Sequence, residues 1–254
     1  MTGEPTWPSR LLIVRHGQSL GNVARDAAMA ENRKRIDIAD RDMDVPLSPL
    51  GERQAWSVGQ WLGRLPEDEQ PQVILASPYV RASQTAEIIR NAAGLDVRKI
   101  VLDERLREKE FGILDRLTTE GIAESFPDQA EFRRLLGKFY HRPPGGESWS
   151  DVILRLRSAL DTIALHHRGQ RVMIVCHQVA VLCLRYIIEE MDEAMILAID
   201  RESDVANCSL TEYTMDAGAP AGTSPVLARY NFVAPLVEEG AAVTRSPDAN
   251  VASR

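Results

Sequence analysis

The sequence predicts a three-layer α/β/α sandwich with a mostly parallel central sheet, and three short apolar runs support that prediction. They occupy residues 11–14, 73–76 and 172–176, and each stops at a polar residue. Short apolar runs with such boundaries are typical of strands buried on both faces of a parallel sheet. Helical patterns of ten or more residues separate them, which is the alternation expected of a sheet covered by helices on both sides.

The helices and later strands follow from caps and apolar spacing. Ser48 and Pro49 predict the start of one helix, as an N-cap and a first helical residue, and Pro66 predicts its end. Further helices are predicted over 81–92, 149–167 and 179–191. Two late strands are predicted over 206–214 and 226–231, joined by the Gly/Ala/Pro-rich link 216–225.

Length and composition indicate a single domain. The chain has 254 residues, 44% of them hydrophobic and 26% charged, and we predict one domain over 10–236 with cap insertions at about 23–46 and 112–146. Residues 237–254 are predicted to form a flexible tail because they are rich in Ala, Ser, Pro and Asn.

The net charge of −7 argues against nucleic acid or an anionic membrane as a partner. No apolar run reaches the roughly 18 residues of a membrane span, and the first ten residues lack the apolar segment of a signal peptide. The three cysteines are dispersed, which argues against a disulfide framework or a structural zinc site. These features predict a cytoplasmic protein.

Two residues that can carry positive charge end the first strand. Arg15 and His16 precede Gly17 at a turn that leads into a predicted helix. A helix N-terminus offers free N–H groups and partial positive charge, so phosphate is its natural ligand. Taken alone, the pair is equally well explained by a surface ion pair and a capping histidine.

Three more residues strengthen the phosphate hypothesis. Arg81 lies in the first turn of the helix after the second strand, His177 follows the third strand, and Glu108 lies in a charged run. Individually, such residues are more often solvated or capping groups. Because strands of a parallel sheet end at one edge, the set predicts a site that binds a phosphate dianion and transfers protons.

In combination, these motifs resemble the histidine phosphatase superfamily, also called phosphoglycerate mutase-like, over roughly residues 10–232. The resemblance rests on Arg15-His16-Gly17 with Asn22, Leu47-Ser48 with Gly51, Gln54 and Ala55, Ser77-Pro78 with Arg81, Gln84, Thr85 and Ala86, Leu106 with Glu108, Gly146-Glu147-Ser148, and Cys176-His177. It implies the phosphoglycerate mutase-like fold and a covalent phosphohistidine mechanism.

The resemblance also implies roles for individual residues. His16 would be the nucleophile, Arg15, Arg81 and His177 would hold the phosphoryl oxygens, and Glu108 would be the general acid and base, with Glu110 as its rival. Neutral groups of Gly17, Gln18, Ser19, Asn22 and Gln178 would complete the pocket. No metal or other cofactor is implied.

The short interval between the Glu108 motif and Gly146 favours a phosphatase over a mutase. Within it, Arg134 and Lys138 fall where the similar fructose-2,6-bisphosphatase branch binds its sugar phosphate. Trp149 and Leu182 depart from that branch's pattern, so this substrate is only one candidate. We therefore predict a phosphatase acting on a small phosphorylated metabolite, with a mutase, a fructose-2,6-bisphosphatase and a catalytically weak binding protein as alternatives.

Two further predictions concern surfaces. The charged segment 23–45 is either a solvated helix and loop or a flap whose Arg25 or Arg33 contacts the distal group of the substrate. The apolar late strands would allow a homodimer.

Overall fold

The computed structural model describes residues 7–215 and 223–246, and a six-stranded sheet forms its centre. The strands are β1 Arg10–Arg15, β2 Val73–Ala76, β3 Val101–Leu102, β4 Arg171–Cys176, β5 Leu210–Thr214 and β6 Val226–Phe232, in the order β3-β2-β4-β1-β5-β6. The first four of that order are parallel, and β5 and β6 are antiparallel additions. The predicted sandwich with a mostly parallel sheet is therefore confirmed.

The helices of the described residues cover both faces of this sheet. They are α1 Leu20–Ala30, α2 Pro49–Gly63, α3 Val80–Ala93, α4 Thr119–Ser125, α5 Pro127–Tyr140, α6 Trp149–His166, α7 Gln178–Ile188, α8 Glu193–Glu202 and α9 Ala234–Glu238. Successive side chains of β1 alternate between the layers, with Leu11 and Ile13 in the core under α6 and α7 and Leu12 and Val14 in the core under α2 and α3. The helices predicted around 49–65, 81–92, 149–167 and 179–191 are confirmed, with shifts of a few residues at their ends.

The cap insertion at 112–146 contains α4 and α5, which sequence patterning did not predict. Three large apolar side chains of α5 are exposed, Phe132 at 50%, Leu135 at 62% and Leu136 at 52%. The apolar residues of α5 therefore do not form the buried stripe by which a core-facing helix is recognised in a sequence. The insertion leaves and re-enters the domain at one point, where Gly112 adopts φ +54° and its missing Cβ would lie 2.1 Å from the Pro144 carbonyl oxygen.

The prediction of a flexible tail beginning at residue 237 is wrong for the part of the tail that the structure describes. After α9 the chain packs against the α2–α3 core through Ala241 and Val243, and the Thr244 carbonyl accepts a hydrogen bond from the Asn207 backbone N–H at 2.9 Å. Buried polar groups of the domain satisfy this segment's backbone, which composition alone does not reveal. Residues 247–254 lie outside the described residues.

The first late strand also begins later than predicted, at Leu210. Residues 206–209 form a turn in which Cys208 has φ +53°, a conformation incompatible with a strand. The pairing of β5 with β6 is antiparallel, as a hairpin-like link requires, although 216–222 of that link lie outside the described residues. Among the described residues, no helix is long and apolar enough to span a membrane.

Candidate active site

Strand register brings two histidines together at the carboxyl edge of the sheet. Arg15 of β1 pairs with Cys176 of β4, so the residues that follow them, His16 and His177, lie side by side with ring centroids 5.0 Å apart. β2 ends at the same level, and the Ser77 hydroxyl lies 2.8 Å from His177 Nε2. The sheet therefore assembles this cluster, as the sequence analysis expects of strands that end at one edge.

His16 is held in a defined tautomer and orientation. Its Nδ1 donates a hydrogen bond to the backbone carbonyl oxygen of Gly17, 2.6 Å away. Its Nε2 accepts a hydrogen bond from the Nε of Arg81 at 3.2 Å, since a guanidinium can only donate. The imidazole thus presents an Nε2 lone pair beside a permanent positive charge, in a position buried from bulk solvent.

The two arginines of the cluster are buried at 0% and 2% exposure, and backbone carbonyl oxygens are among their partners. Arg15 donates to the carbonyl oxygens of Val205 and Ser246. Arg81 donates through Nη1 to the Asp42 carbonyl oxygen and through Nη2 to the Asp42 carboxylate at 3.1 Å. Carbonyl oxygens orient a guanidinium without cancelling its charge, so the site remains suited to an anion.

The loop after His16 is fixed by residues of the other motifs. The backbone N–H of Gly17 donates to Thr85 Oγ1 at 3.0 Å, and that of Gln18 donates to Gln54 Oε1 at 2.8 Å. Gly51 lets the N-terminus of α2 approach this loop, because a Cβ there would lie 2.0 Å from the Gln18 carbonyl oxygen. The motif residues around 48–55 and 81–86 thus support the loop.

The polar residues predicted to complete the pocket also have structural roles. Ser19 and Asn22 form the capping box of α1, and the Asn22 side chain lies within 3.4 Å of the Ser246 carbonyl oxygen. Gln178, the first residue of α7, is buried and donates to Asp204 Oδ1 at 2.9 Å.

Glu108, rather than Glu110, is the carboxylate buried beside this cluster. Its Oε2 accepts from the backbone N–H of Val179, the second residue of α7, at 3.3 Å, and it is 1% exposed. Glu110 instead accepts from the hydroxyl of Tyr79 at 2.6 Å. Burial and the contact with Glu110 raise the pKa of Tyr79, which keeps this donor protonated.

A salt bridge that the sequence analysis did not single out anchors the Glu108 loop. The guanidinium of Arg155 donates to both carboxylate oxygens of Glu147, at 2.9 and 3.0 Å. It also donates to the carbonyl oxygens of Arg105 at 2.6 Å and Glu108 at 3.1 Å. Arg155 thus connects the Gly-Glu-Ser motif to the backbone of Glu108. Because it lies in the middle of α6, its sequence context predicts only a surface charge.

The turn before β5 is a second feature that sequence reasoning missed. Asn207 donates through its side chain to the His16 carbonyl oxygen at 3.2 Å, and the Cys208 N–H donates to the Arg15 carbonyl oxygen at 3.0 Å. These contacts hold the backbone of Arg15 and His16 in place. The sequence interpretation placed this turn inside a strand, which left it without a role.

The predicted distal contacts are engaged within the protein. Arg134 is 69% exposed in its side chain and pairs with Glu131, while Lys138 pairs with the buried Asp200. In the segment 23–45, Arg33 pairs with neighbouring carboxylates of its own segment. Arg25 of the same segment lies 3.7 Å from the Asp26 carboxylate, and Asp42 contacts Arg81 of the cluster.

An α/β sandwich with two histidines, two arginines and a glutamate at one sheet edge has the design of an enzyme that handles phosphoryl groups. The chain belongs to the histidine phosphatase superfamily (branch 1), whose family model matches residues 11–225. It is an enzyme of that superfamily. No group of three or more His, Cys, Asp or Glu side chains suited to a metal ion occurs among residues 7–215 and 223–246.

Similar proteins include both phosphatases and mutases by name. The chain is 32% identical over 177 residues to a probable phosphoglycerate mutase, GpmB, of Yersinia enterocolitica, covering 69% of this chain and 72% of that protein. It is 30% identical over 218 residues to the bifunctional protein Rv2228c of Mycobacterium tuberculosis, covering 86% of this chain but 54% of that protein. The chain thus spans about half the length of this relative.

A solved structure shows the same fold. Mycobacterial glucosyl-3-phosphoglycerate phosphatase Rv2419c, in complex with inorganic phosphate, matches with a TM-score of 0.66 at 24% identity, covering 89% of this chain and 99% of that chain.

Proposed function

We propose that the protein is a metal-independent phosphatase that hydrolyses a small phosphomonoester through a phosphohistidine on His16. The observation that carries the proposal is the geometry of the His16 ring, whose Nδ1 donates to the Gly17 carbonyl oxygen and whose Nε2 lone pair lies next to Arg81. A neutral imidazole oriented in this way is a competent nucleophile, and the adjacent guanidinium attracts the phosphoryl group to it.

In the first step, His16 Nε2 attacks phosphorus in line while the bond to the leaving oxygen breaks. Glu108 gives its proton to that oxygen, and the guanidinium groups of Arg15 and Arg81 together with His177 stabilise charge on the equatorial oxygens. In the second step, the Glu108 carboxylate takes a proton from water as the water oxygen attacks phosphorus. The N–P bond breaks, phosphate leaves, and the Nε2 lone pair and the Glu108 proton are restored.

The test is His16→Ala assayed with a 32P-labelled phosphomonoester and a chelator present. Loss of the nucleophile should lower kcat by at least about 10⁴-fold and abolish acid-labile phosphoenzyme in rapid-quench samples. His166→Ala, at an exposed histidine near the end of α6, is the matched control and should behave as the native chain. Turnover in His16→Ala, or its loss from the native chain on chelation, would contradict the proposal.

A phosphoglycerate-type mutase is the second candidate, and the relative of that name at 32% identity supports it. The two activities share the phosphohistidine and differ in the acceptor. Single-turnover experiments separate them, because a phosphatase passes the label from His16 to inorganic phosphate and a mutase returns it to the organic substrate. The cytoplasmic location and a homodimer remain predictions.

A further inference from the structure

We propose that Arg155 is a positioning residue for the reaction: its guanidinium, paired with Glu147, holds the loop that carries Glu108 so that this general acid reaches the leaving oxygen. The inference rests on the proposed phosphatase function and adds to it a residue that acts through Glu108. Its consequence is that loss of Arg155 should slow the reaction by an amount that depends on how basic the leaving group is.

The loop around Glu108 has no secondary structure of its own. A 3₁₀ helix ends at Leu106, and residues 107–110 lie in neither helix nor strand. Glu108 is nevertheless 1% exposed, and a buried backbone polar group without a partner costs free energy. Groups from elsewhere in the chain therefore have to bind this backbone, and they define where Glu108 lies.

Arg155 supplies two of these bonds at once. Its Nη1 donates to the Arg105 carbonyl oxygen at 2.6 Å, and its Nη2 donates to the Glu108 carbonyl oxygen at 3.1 Å. Its Nε and Nη2 also donate to the two oxygens of the Glu147 carboxylate, and such a bidentate pair fixes the plane of the guanidinium. One side chain thus sets the distance between α6 and the backbone of the general acid.

Glu147 extends the same support to the far end of the loop. Its Oε2 accepts from the Glu110 N–H at 3.1 Å, and its own N–H donates to the Glu110 carbonyl oxygen at 2.9 Å. Burial opposes ionisation of Glu147, but the hydrogen bond and the charge of Arg155 outweigh it and lower the pKa of this carboxyl. The ion pair is therefore present at neutral pH, and the loop is held on both sides of Glu108.

The position of this loop decides where the Glu108 carboxylate lies. Its Oε1 accepts from the Lys109 N–H at 2.7 Å, and its Oε2 accepts from the N–H of Val179, in the first turn of α7, at 3.3 Å. A loop that moved away from α6 would change the contact with α7 and the distance to the leaving oxygen. Because proton transfer requires hydrogen-bond distance, a displacement of about 1 Å is enough to weaken it.

The experiment compares Arg155→Lys with the native chain on benzyl phosphate and on 4-nitrophenyl phosphate. The benzyl alkoxide is strongly basic and needs a proton as it leaves, whereas 4-nitrophenolate leaves without one. Lysine keeps the charge, but its ammonium cannot bind Glu147 and both carbonyl oxygens in the geometry of a guanidinium. The value of kcat/KM, which reports the formation of phosphohistidine, should fall about ten- to a hundredfold for benzyl phosphate and less than about threefold for 4-nitrophenyl phosphate.

Three further variants calibrate this result. Glu108→Gln removes the acid itself and should lose about 10²-fold or more on benzyl phosphate and much less on the nitrophenyl ester. In Arg155→Lys/Glu108→Gln the loss on benzyl phosphate should be no larger than in Glu108→Gln alone, because both changes act on one group. Arg157→Lys, at an exposed arginine two residues further along α6, is the matched control and should equal the native chain on both substrates.

Glu147→Gln tests the same support if Arg155→Lys does not fold, because it keeps the shape of the side chain and removes its charge. It should show the same selective loss on benzyl phosphate at a smaller size. Equal losses on the two substrates, or additive losses in the double variant, would overturn the inference. The proposed function is judged separately: absence of acid-labile phosphoenzyme in the native chain would reject it, whereas equal losses with phosphoenzyme present would reject only the role of Arg155.

Discussion

The two groups of cations on either side of Glu108 are built differently. At the sheet edge, Arg15 and Arg81 are buried and donate to backbone carbonyl oxygens, and Arg81 also contacts the Asp42 carboxylate. In the cap, Arg134 is held by the carboxylate of Glu131 in the same helix, and Lys138 by that of Asp200 in α8. A carbonyl orients a cation and leaves its charge available, whereas a carboxylate cancels it. The groups that a basic side chain contacts therefore indicate better than its mere presence where an anion binds.

The largest test of this contrast compares Arg81→Ala with Arg134→Ala. Removing Arg81 should lower kcat/KM by about 10³-fold, since one preorganised charge at the phosphoryl group is lost. Removing the exposed Arg134 should change it less than about twofold. Steady-state kinetics with a phosphomonoester that has no second charged group, such as benzyl phosphate, measures both. Comparable losses in the two variants would show that the cap cations act on the phosphoryl group as well.

The second test addresses stability in the cap. Lys138→Met leaves Asp200, which is 5% exposed, without its ion pair, and should lower the free energy of unfolding by about 2 kcal/mol in urea titrations. Lys138→Met/Asp200→Asn should recover much of that loss because the buried charge is gone. If the single and double variants were equally unstable, the pair would not be neutralising the cap.

The third test uses the pH dependence of Lys109. Burial and the nearby charge of Arg133 lower the pKa of this lysine to about 8, against the opposing effects of Glu108 and Glu147, while Lys138 lowers it further. The ammonium is therefore charged below that pH and neutral above it. Because the unfolded chain then binds more protons at this lysine than the folded chain, the free energy of unfolding of the native chain, measured relative to Lys109→Met in urea titrations, should rise between pH 7 and pH 10. A difference that stayed constant over this range would show that burial does not lower the pKa of Lys109.

The smallest test concerns the carboxylate that contacts Arg81. The Asp42 carboxylate lies 3.1 Å from Arg81 Nη2 and competes with a phosphate for that guanidinium. Asp42→Asn removes the charge while keeping the backbone carbonyl that orients Arg81, so KM should fall by a few-fold with little change in kcat. Asp44→Asn, two residues away and paired with Arg41, is the matched control. A rise in KM would indicate that Asp42 positions Arg81 for substrate.

The meeting of the two histidines at the sheet edge could be predicted from the sequence because each of them directly follows a strand. His16 and His177 follow apolar runs, and parallel pairing alone brings such residues together. The cap was predicted less well. Its helices bury little apolar surface, and Lys109 is indistinguishable from its charged neighbours until burial and partners are known. Similarly, Arg155 shows its role only through contacts that cross from α6 to the Glu108 loop.

The sequence by itself determined the fold class through apolar periodicity and strand ends, and the family through the resemblance of its motifs. The same motifs selected Arg15, His16, Arg81, Glu108 and His177 as candidate site residues. Only the tertiary structure decided which groups the cations contact, that Asn207 and Ser246 support the site, and that Lys109 faces a cavity. These properties depend on groups distant in sequence, and no local pattern records how far a charge is buried or what lies opposite it.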